Sequence, residues 1–223
     1  MKLEDYCTFE LDKQFLQIDG IKYLPWIGHK ALKSNNKLLI VGESVYNWEK
    51  EEGLKRQIAQ SRLEKNDFAR VVAYEHGIEN PHHKRKFARN IEKTLAPKFE
   101  TESDRIGFWE SIMFHELVQR PMDNIRSRPN KTDYQNGAKV LRSIIQMVKP
   151  EKCVFLGTTW SKFVGLRNNL GESYTTSEIG FEKINGAIPR LLKNDRSNIK
   201  IYFIKHPSKF FTPELWKDFI LNN

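Results

Sequence analysis

Four short apolar runs punctuate a polar chain, at 38–41, 112–114, 154–156 and 201–204. In the first, third and fourth the apolar residues are continuous rather than alternating, as in strands covered on both faces. The second is short enough to be a strand or part of a helix. Between the runs the apolar positions recur at helical spacing. Tyr134, Gly137, Ala138, Leu141, Ile144, Ile145 and Val148 fall on one stripe. Thr132 and Gln135 have capping-box spacing ahead of it, and Pro150 follows it. Thr212 and Pro213 make an N-cap and first-turn pair before a last helix with Leu215, Trp216, Phe219 and Ile220. Strands alternating with helices predict an α/β layer fold with a largely parallel sheet. Ligands in such folds bind beyond the carboxyl ends of the strands. The first and last runs each spill into a polar loop at that end, GESVYNW (42–48) and KHPSKF (205–210). Parallel strands place both loops on one sheet edge.

No repeat, low-complexity segment or composition shift divides the 223 residues, so one domain is expected over 1–223. Residues 49–110 read as a charged helical insertion after the first strand. Within it, PHHKRKFARNIEK (81–93) puts Phe87 and Ile91 one turn apart, with Lys84, Arg85, Lys86, Arg89 and Lys93 around them. That face is either a solvated surface or a phosphate-contacting helix. Lys and Arg number 37 against 28 Asp and Glu, a net charge of +9. Such a balance favours anionic partners, nucleic acid first. No apolar run approaches the roughly 20 residues that span a bilayer, and the acidic start MKLEDYCTFELDKQF does not read as a signal peptide. A cytoplasmic protein is expected. Cys7 and Cys153 are too few for a disulfide framework or a cysteine-bound metal.

Four segments carry candidate chemistry, each at the end of a run: VGESVY (41–46), FHELVQRP (114–121), VKPEKCVFLGTTW (148–160) and KHPSKFFTPELW (205–216). In this order they resemble the motifs of the uracil-DNA glycosylase superfamily. The resemblance implies a three-layer α/β/α sandwich with a central, mainly parallel four-stranded sheet. It also implies a DNA glycosylase that hydrolyses the N-glycosidic bond of a flipped-out base. Segment 49–110 has no counterpart in it.

The chemistry suits the residues present. Breaking the bond builds cationic charge on the sugar and negative charge on the departing base. By resemblance Glu43 is the catalytic carboxylate, matching the Glu of the iron-sulfur branch, and His206 is the donor to the leaving base. Glu43 can instead be a helix-capping carboxylate. Ser44 stands where another branch keeps its catalytic Asp. Tyr46 stands where the strict uracil enzymes wall the pocket. His115 stands where the uracil readers have Asn. A neutral His has its donor and acceptor on opposite sides of the ring and cannot copy an amide. It is therefore a reader of another base or a core histidine, and a one-residue shift of register puts Phe114 or Glu116 there instead. The expected target is accordingly a modified or damaged base rather than uracil alone, including the hypermodified cytosines of phage DNA, which would make this a defence enzyme.

Trp48, beside Asn47, is a base-stacking candidate or a core residue, and Phe68 is another stacking candidate. Ser208, Lys209, Arg120, Arg126 and Arg128, with Lys131 and the basic residues of 81–93, are expected to follow the DNA backbone. Gln119 falls where the iron-sulfur branch has a cysteine, and no histidine pair has zinc-type spacing, so a cofactor-free monomer is expected. Two other readings compete. One is a hydrolase with Ser44 as nucleophile and His206 as base, although the second Gly of a G-x-S-x-G turn is missing. The other is an inactive nucleic-acid-binding module on the same fold.

Overall fold

The computed structural model describes residues 2–79, 86–96, 98–176, 181–208 and 210–223. Helix α1 (Asp12–Phe15) precedes strands β1 (Trp26–Ile27) and β2 (Leu38–Gly42). Helices α2 (Leu54–Leu63), α3 (Phe68–Tyr74), α4 (Lys86–Leu95) and α5 (Glu102–Ser111) lead to β3 (Ile112–Glu116). Then come α6 (Lys131–Val148), β4 (Lys152–Leu156), α7 (Trp160–Leu170), β5 (Tyr174–Thr176), β6 (Arg190–Asn194), β7 (Lys200–Ile204) and α8 (Pro213–Leu221).

The sheet order among the described residues is β1-β3-β2-β4-β7-β6-β5. The four apolar runs are its parallel centre, β3-β2-β4-β7, and 112–114 is strand rather than helix. The sheet is larger than the expected four strands, because β1, β6 and β5 add antiparallel edges. β1 and β5 are two and three residues long, too short to show a period.

The central strands are continuously apolar because helices cover both faces. Leu39, Val41, Cys153, Phe155, Ile201 and Phe203 pack against residues of α6 and α7. Ile40, Phe114, Val154, Leu156, Tyr202 and Ile204 pack with residues of α3, α4, α5 and α8. Each such side chain taken from water is worth roughly 1.5–3 kcal/mol. The segment read as an insertion is thus a structural layer of the core. Ile91 and Trp109 are buried in it, and the Trp109 indole donates to Glu92 Oε1 at 2.8 Å.

Both capping expectations need correction. α6 starts two residues earlier than the Thr132/Gln135 pattern implies: Asn130 Oδ1 accepts from the Asp133 amide at 3.0 Å, and Asp133 Oδ2 accepts from the Asn130 amide at 2.8 Å. α8 does open on Thr212 and Pro213, but the Thr212 hydroxyl makes no cap. It accepts from Asn185 Nδ2 at 2.9 Å, while Asn185 Oδ1 takes the Thr212 amide at 2.9 Å and the Trp216 indole at 3.1 Å. Among the described residues, no helix is long and apolar enough to cross a membrane.

Candidate active site

The carboxyl ends of β3, β2, β4 and β7 share one edge of the sheet. Beyond that edge the chain leaving β2 stays paired to the chain leaving β3. Glu43 O accepts from the Val118 amide at 2.9 Å, Val45 O from the Met122 amide at 2.9 Å, and Met122 O from the Asn47 amide at 3.1 Å. Glu43 therefore stands on extended, hydrogen-bonded backbone. Strand alternation turns it to the face that α6 and α7 cover.

Two partners hold its carboxylate. The Tyr134 hydroxyl donates to Oε1 at 2.6 Å, and Lys162 Nζ lies 2.9 Å from Oε2. Only 11% of the Glu43 side chain is exposed. No helix starts at Glu43, so it caps none. Tyr134 comes from the predicted α6 stripe and Lys162 from the first turn of α7. Lys162 reaches Glu43 across Gly157, where a Cβ would stand 2.9 Å from its Cδ. Burial and the Glu43 carboxylate both push the Tyr134 phenol far up, so it stays a proton donor.

A second carboxyl lies beside the first. Glu116, the last residue of β3, pairs in register with Gly42. It packs so closely that a Cβ at position 42 would lie 2.4 Å from Oε2. The residue is 7% exposed, and Oε2 is buried with no hydrogen-bond partner. Burial first, and then the charge of Glu43, push its pKa up to about 8. One carboxyl is thus paired with a lysine, and the other is a neutral acid at pH 7. Tyr46, half buried, sits within reach of both. Burial raises its phenol, the Glu43 and Glu116 charges add to this, and Ser44 and Arg128 oppose it. The Ser44 Oγ itself is buried with no well-formed hydrogen bond.

The loop after β7 completes the edge. His206 Nδ1 is 3.0 Å from Ser208 Oγ, and its ring lies 5.4 Å from that of Phe87 on α4. Asn90, one turn further along α4, donates to Pro207 O at 2.6 Å. Solvent reaches His206, yet the protein atoms crowding its ring pull its pKa down. Lys162 adds to that, and Glu43 opposes it. The imidazole is therefore neutral at pH 7. Lys162 and Glu43 thus both act electrostatically on the loop after β7.

His115 does not reach that site. It is 0% exposed, buried within β3 before the strand reaches its carboxyl end. Its Nε2 lies 3.3 Å from Gln119 Nε2, and burial lowers its pKa to about 3, so it is a neutral core imidazole. Glu116, one residue on, is the side chain that lies against Gly42 at the end of β2. Gln119 is also structural: its Oε1 accepts the Lys22 and Tyr23 amides, at 2.9 and 3.0 Å. Phe68 packs on Tyr23 at 6.3 Å and is not free to stack on a base. Arg120 is committed to Asp133 by two hydrogen bonds of 2.7 Å, so it braces α6 instead of offering a free guanidinium. Asn47 is buried and ties the loop to α2 through Gln60 at 3.1 Å.

Trp48 is 73% exposed rather than in the core. Ser208, Arg126, Arg128 and Arg89 are exposed as well. Lys84, Arg85 and Lys209 lie outside the described residues. Two further aromatics stand out on the same edge, Trp160 at the start of α7 and Phe210 in the loop after β7, the latter 85% exposed. Each has a cation over its ring, Arg190 at 5.3 Å and Lys205 at 5.8 Å. A shallow recess of about 620 Å³, lined by Asn185, Lys205, Phe210, Phe211 and Thr212, flanks the His206 loop.

A recess of about 730 Å³ lies at the other end of the strands, among Arg142, Lys149, Lys152, Tyr174 and Lys200. It lacks the two carboxyls and the histidine found at the carboxyl edge. No group of three or more His, Cys, Asp or Glu among the described residues is placed to hold a metal. No protein-family model matches the chain, and no curated protein matches it in sequence.

Proposed function

We propose that this chain is a DNA glycosylase that hydrolyses the N-glycosidic bond of a flipped-out base, one that is modified or damaged rather than uracil alone. The observation that carries the reading is Glu43, fixed by Tyr134 and Lys162 at the carboxyl end of β2, in the same electrostatic neighbourhood as His206. When the bond from C1′ to the base nitrogen breaks, its electron pair leaves with the base and C1′ becomes cationic. Glu43 stabilises that cation and accepts a proton from the water that attacks C1′. His206, neutral, donates a hydrogen bond to the leaving base. Ser208 and Arg126 are free to meet phosphates, and Trp48 to stack on a base beside the flipped one. Glu116 in place of an amide supports a target other than uracil alone.

The hydrolase alternative finds less support. His206 Nδ1 is turned to Ser208, and Ser44 Oγ has no partner, so the nucleophile–base hydrogen bond is missing. The test is base release from oligonucleotides carrying uracil, hypoxanthine, cytosine or bulky 5-substituted cytosines, the last as models of modified phage DNA. The wild type is expected to free at least one of them. Glu43→Gln is expected to lower kcat by about 10²- to 10⁴-fold. Equal release by Glu43→Gln and wild type would remove the reading. DNA binding without release of any base would leave the inactive binding module.

A further inference from the structure

We propose that Glu116 is the acid that protonates the departing base, so that the site takes bases with an unprotonated ring nitrogen beside an exocyclic amine, the amidine edge of cytosines and adenine. This inference rests on the glycosylase reading and adds its leaving-group chemistry.

The placement comes first. Glu116 ends β3 directly opposite Gly42, one residue before Glu43. Any side chain at position 42 would collide with the Glu116 carboxyl, so the glycine makes room for it. Its Oε2 is a buried polar atom with no partner in the unliganded chain, and an unpaired buried polar group is costly unless a ligand meets it. The ionisable groups that act on it or on which it acts are Glu43 and Tyr46, from the loop after β2, and Tyr23, from the segment before β1. The Tyr23 hydroxyl is already given to Leu63 O at 2.9 Å. None of the three supplies a positive charge. The cations beside those groups have other partners: Lys162 is bound to Glu43, Lys22 to Glu64, and Arg128 donates to the carbonyls of Ile125 and Ser127.

A neutral carboxyl offers an O–H donor and a C=O acceptor on one edge. An amidine edge offers the complement, a bare ring nitrogen and an N–H of the exocyclic amine. Uracil and hypoxanthine already carry hydrogen on that ring nitrogen and cannot accept a proton there. As the glycosidic bond breaks, its electron pair enters the base and makes the bare ring nitrogen strongly basic. The Glu116 proton moves to it, the base leaves neutral, and Glu116 is left as a carboxylate. Water adds to C1′ and gives its proton to Glu43. Exchange with solvent returns a proton to Glu116 and removes one from Glu43. His206 is no substitute acid, because its imidazole is already neutral at pH 7. A lysine-paired carboxyl and a buried, unpaired one are environments of the kind that divide acid from base roles in other glycosidic hydrolyses.

The test compares wild type and Glu116→Gln on single-stranded oligonucleotides carrying cytosine, 5-substituted cytosines, adenine, uracil or hypoxanthine, with kcat and KM followed from pH 6 to 9. Gln keeps one donor and one acceptor but has no proton to give. Wild type is expected to favour an amidine-edge base, with kcat falling tenfold per pH unit above about 8. Glu116→Gln is expected to lose about 10²-fold or more in kcat with KM little changed, and to lose the alkaline fall. The arm that responds separates cytosine-type bases from adenine. Should Glu116→Gln fold poorly, the wild-type profile still decides, since uracil release should lack the alkaline fall. Wild-type release of a base with equal kcat and the same pH profile in Glu116→Gln overturns this inference alone. Faster release of uracil than of any amidine-edge base also overturns it alone. No release of any base by wild type overturns the glycosylase reading and this inference with it.

Discussion

At the scale of single residues, neighbours in sequence take opposite roles because a strand alternates its side chains. Glu43 and Ser44 are adjacent, yet Glu43 meets Tyr134 and Lys162 while Ser44 Oγ is buried without a hydrogen bond. His115 and Glu116 are adjacent, yet one lies in the core and the other beside Gly42. Both are titratable and buried, and burial shifts them in opposite directions because it opposes charge in either form. For His115 the folded pKa, about 3, lies below the usual 6.5. The stability this confers is fully present above pH 6.5 and is lost progressively as pH falls towards 3. Urea midpoints measured from pH 7 to 4 should fall for the wild type and fall less for His115→Gln, which has no proton to gain. A neutral-pH loss of roughly 1–2 kcal/mol is expected for that variant from imperfect packing, with base release little changed. An abolished activity in a folded His115→Gln would return His115 to the site.

At the scale of elements, the instructive case is α4. Its sequence reads as a basic amphipathic helix and nothing more. In the fold its apolar side enters the core through Ala88 and Ile91, and its edge places Phe87 against His206 and Asn90 under Pro207. The helix thus shapes the loop that carries His206. Asn90→Ala should remove a hydrogen bond worth about 1 kcal/mol and loosen that loop. The expected result is faster amide exchange over residues 205–208 with a several-fold lower kcat, the global melting point changing little. An unchanged exchange rate would show that Phe87 alone fixes the loop. The strand runs were legible because a fully covered strand must be apolar throughout. The edge strands were not, since two or three residues carry no measurable period. The start of α6 was misplaced because Asn130 outcompetes Thr132 once Asp133 can answer it from within the first turn.

At the scale of the whole molecule, charge and aromatics gather their meaning from position. A net charge of +9 favours polyanions without saying where they bind. The edge that holds Glu43 and His206 also presents Trp48, Trp160 and Phe210, the last two beneath cations. Binding of single-stranded DNA should weaken steeply with salt, log K falling by about 0.7 per log unit of salt for each phosphate neutralised. Arg126→Ala should reduce that slope by about one phosphate without altering which base is released. Trp48→Ala should weaken binding by roughly 1–3 kcal/mol, read by fluorescence anisotropy. A salt-independent affinity would exclude backbone contact as the source of binding.

The sequence by itself determined the layered α/β architecture, the parallel order of its central strands' ends, and the two loops on which Glu43 and His206 stand. Those features follow from local rules, the continuous apolar run and the polar turn after it, which any reader of the chain can apply. Only the tertiary structure decided that Glu116 and not His115 faces the site, that Lys162 and Tyr134 hold Glu43, and that Arg120 serves α6. Which face a residue takes depends on register with a neighbouring strand, and Lys162 reaches Glu43, over a hundred positions away in the chain, because Gly157 leaves it room. Pairings of that kind are set by distance in space, and distance in the sequence does not encode them.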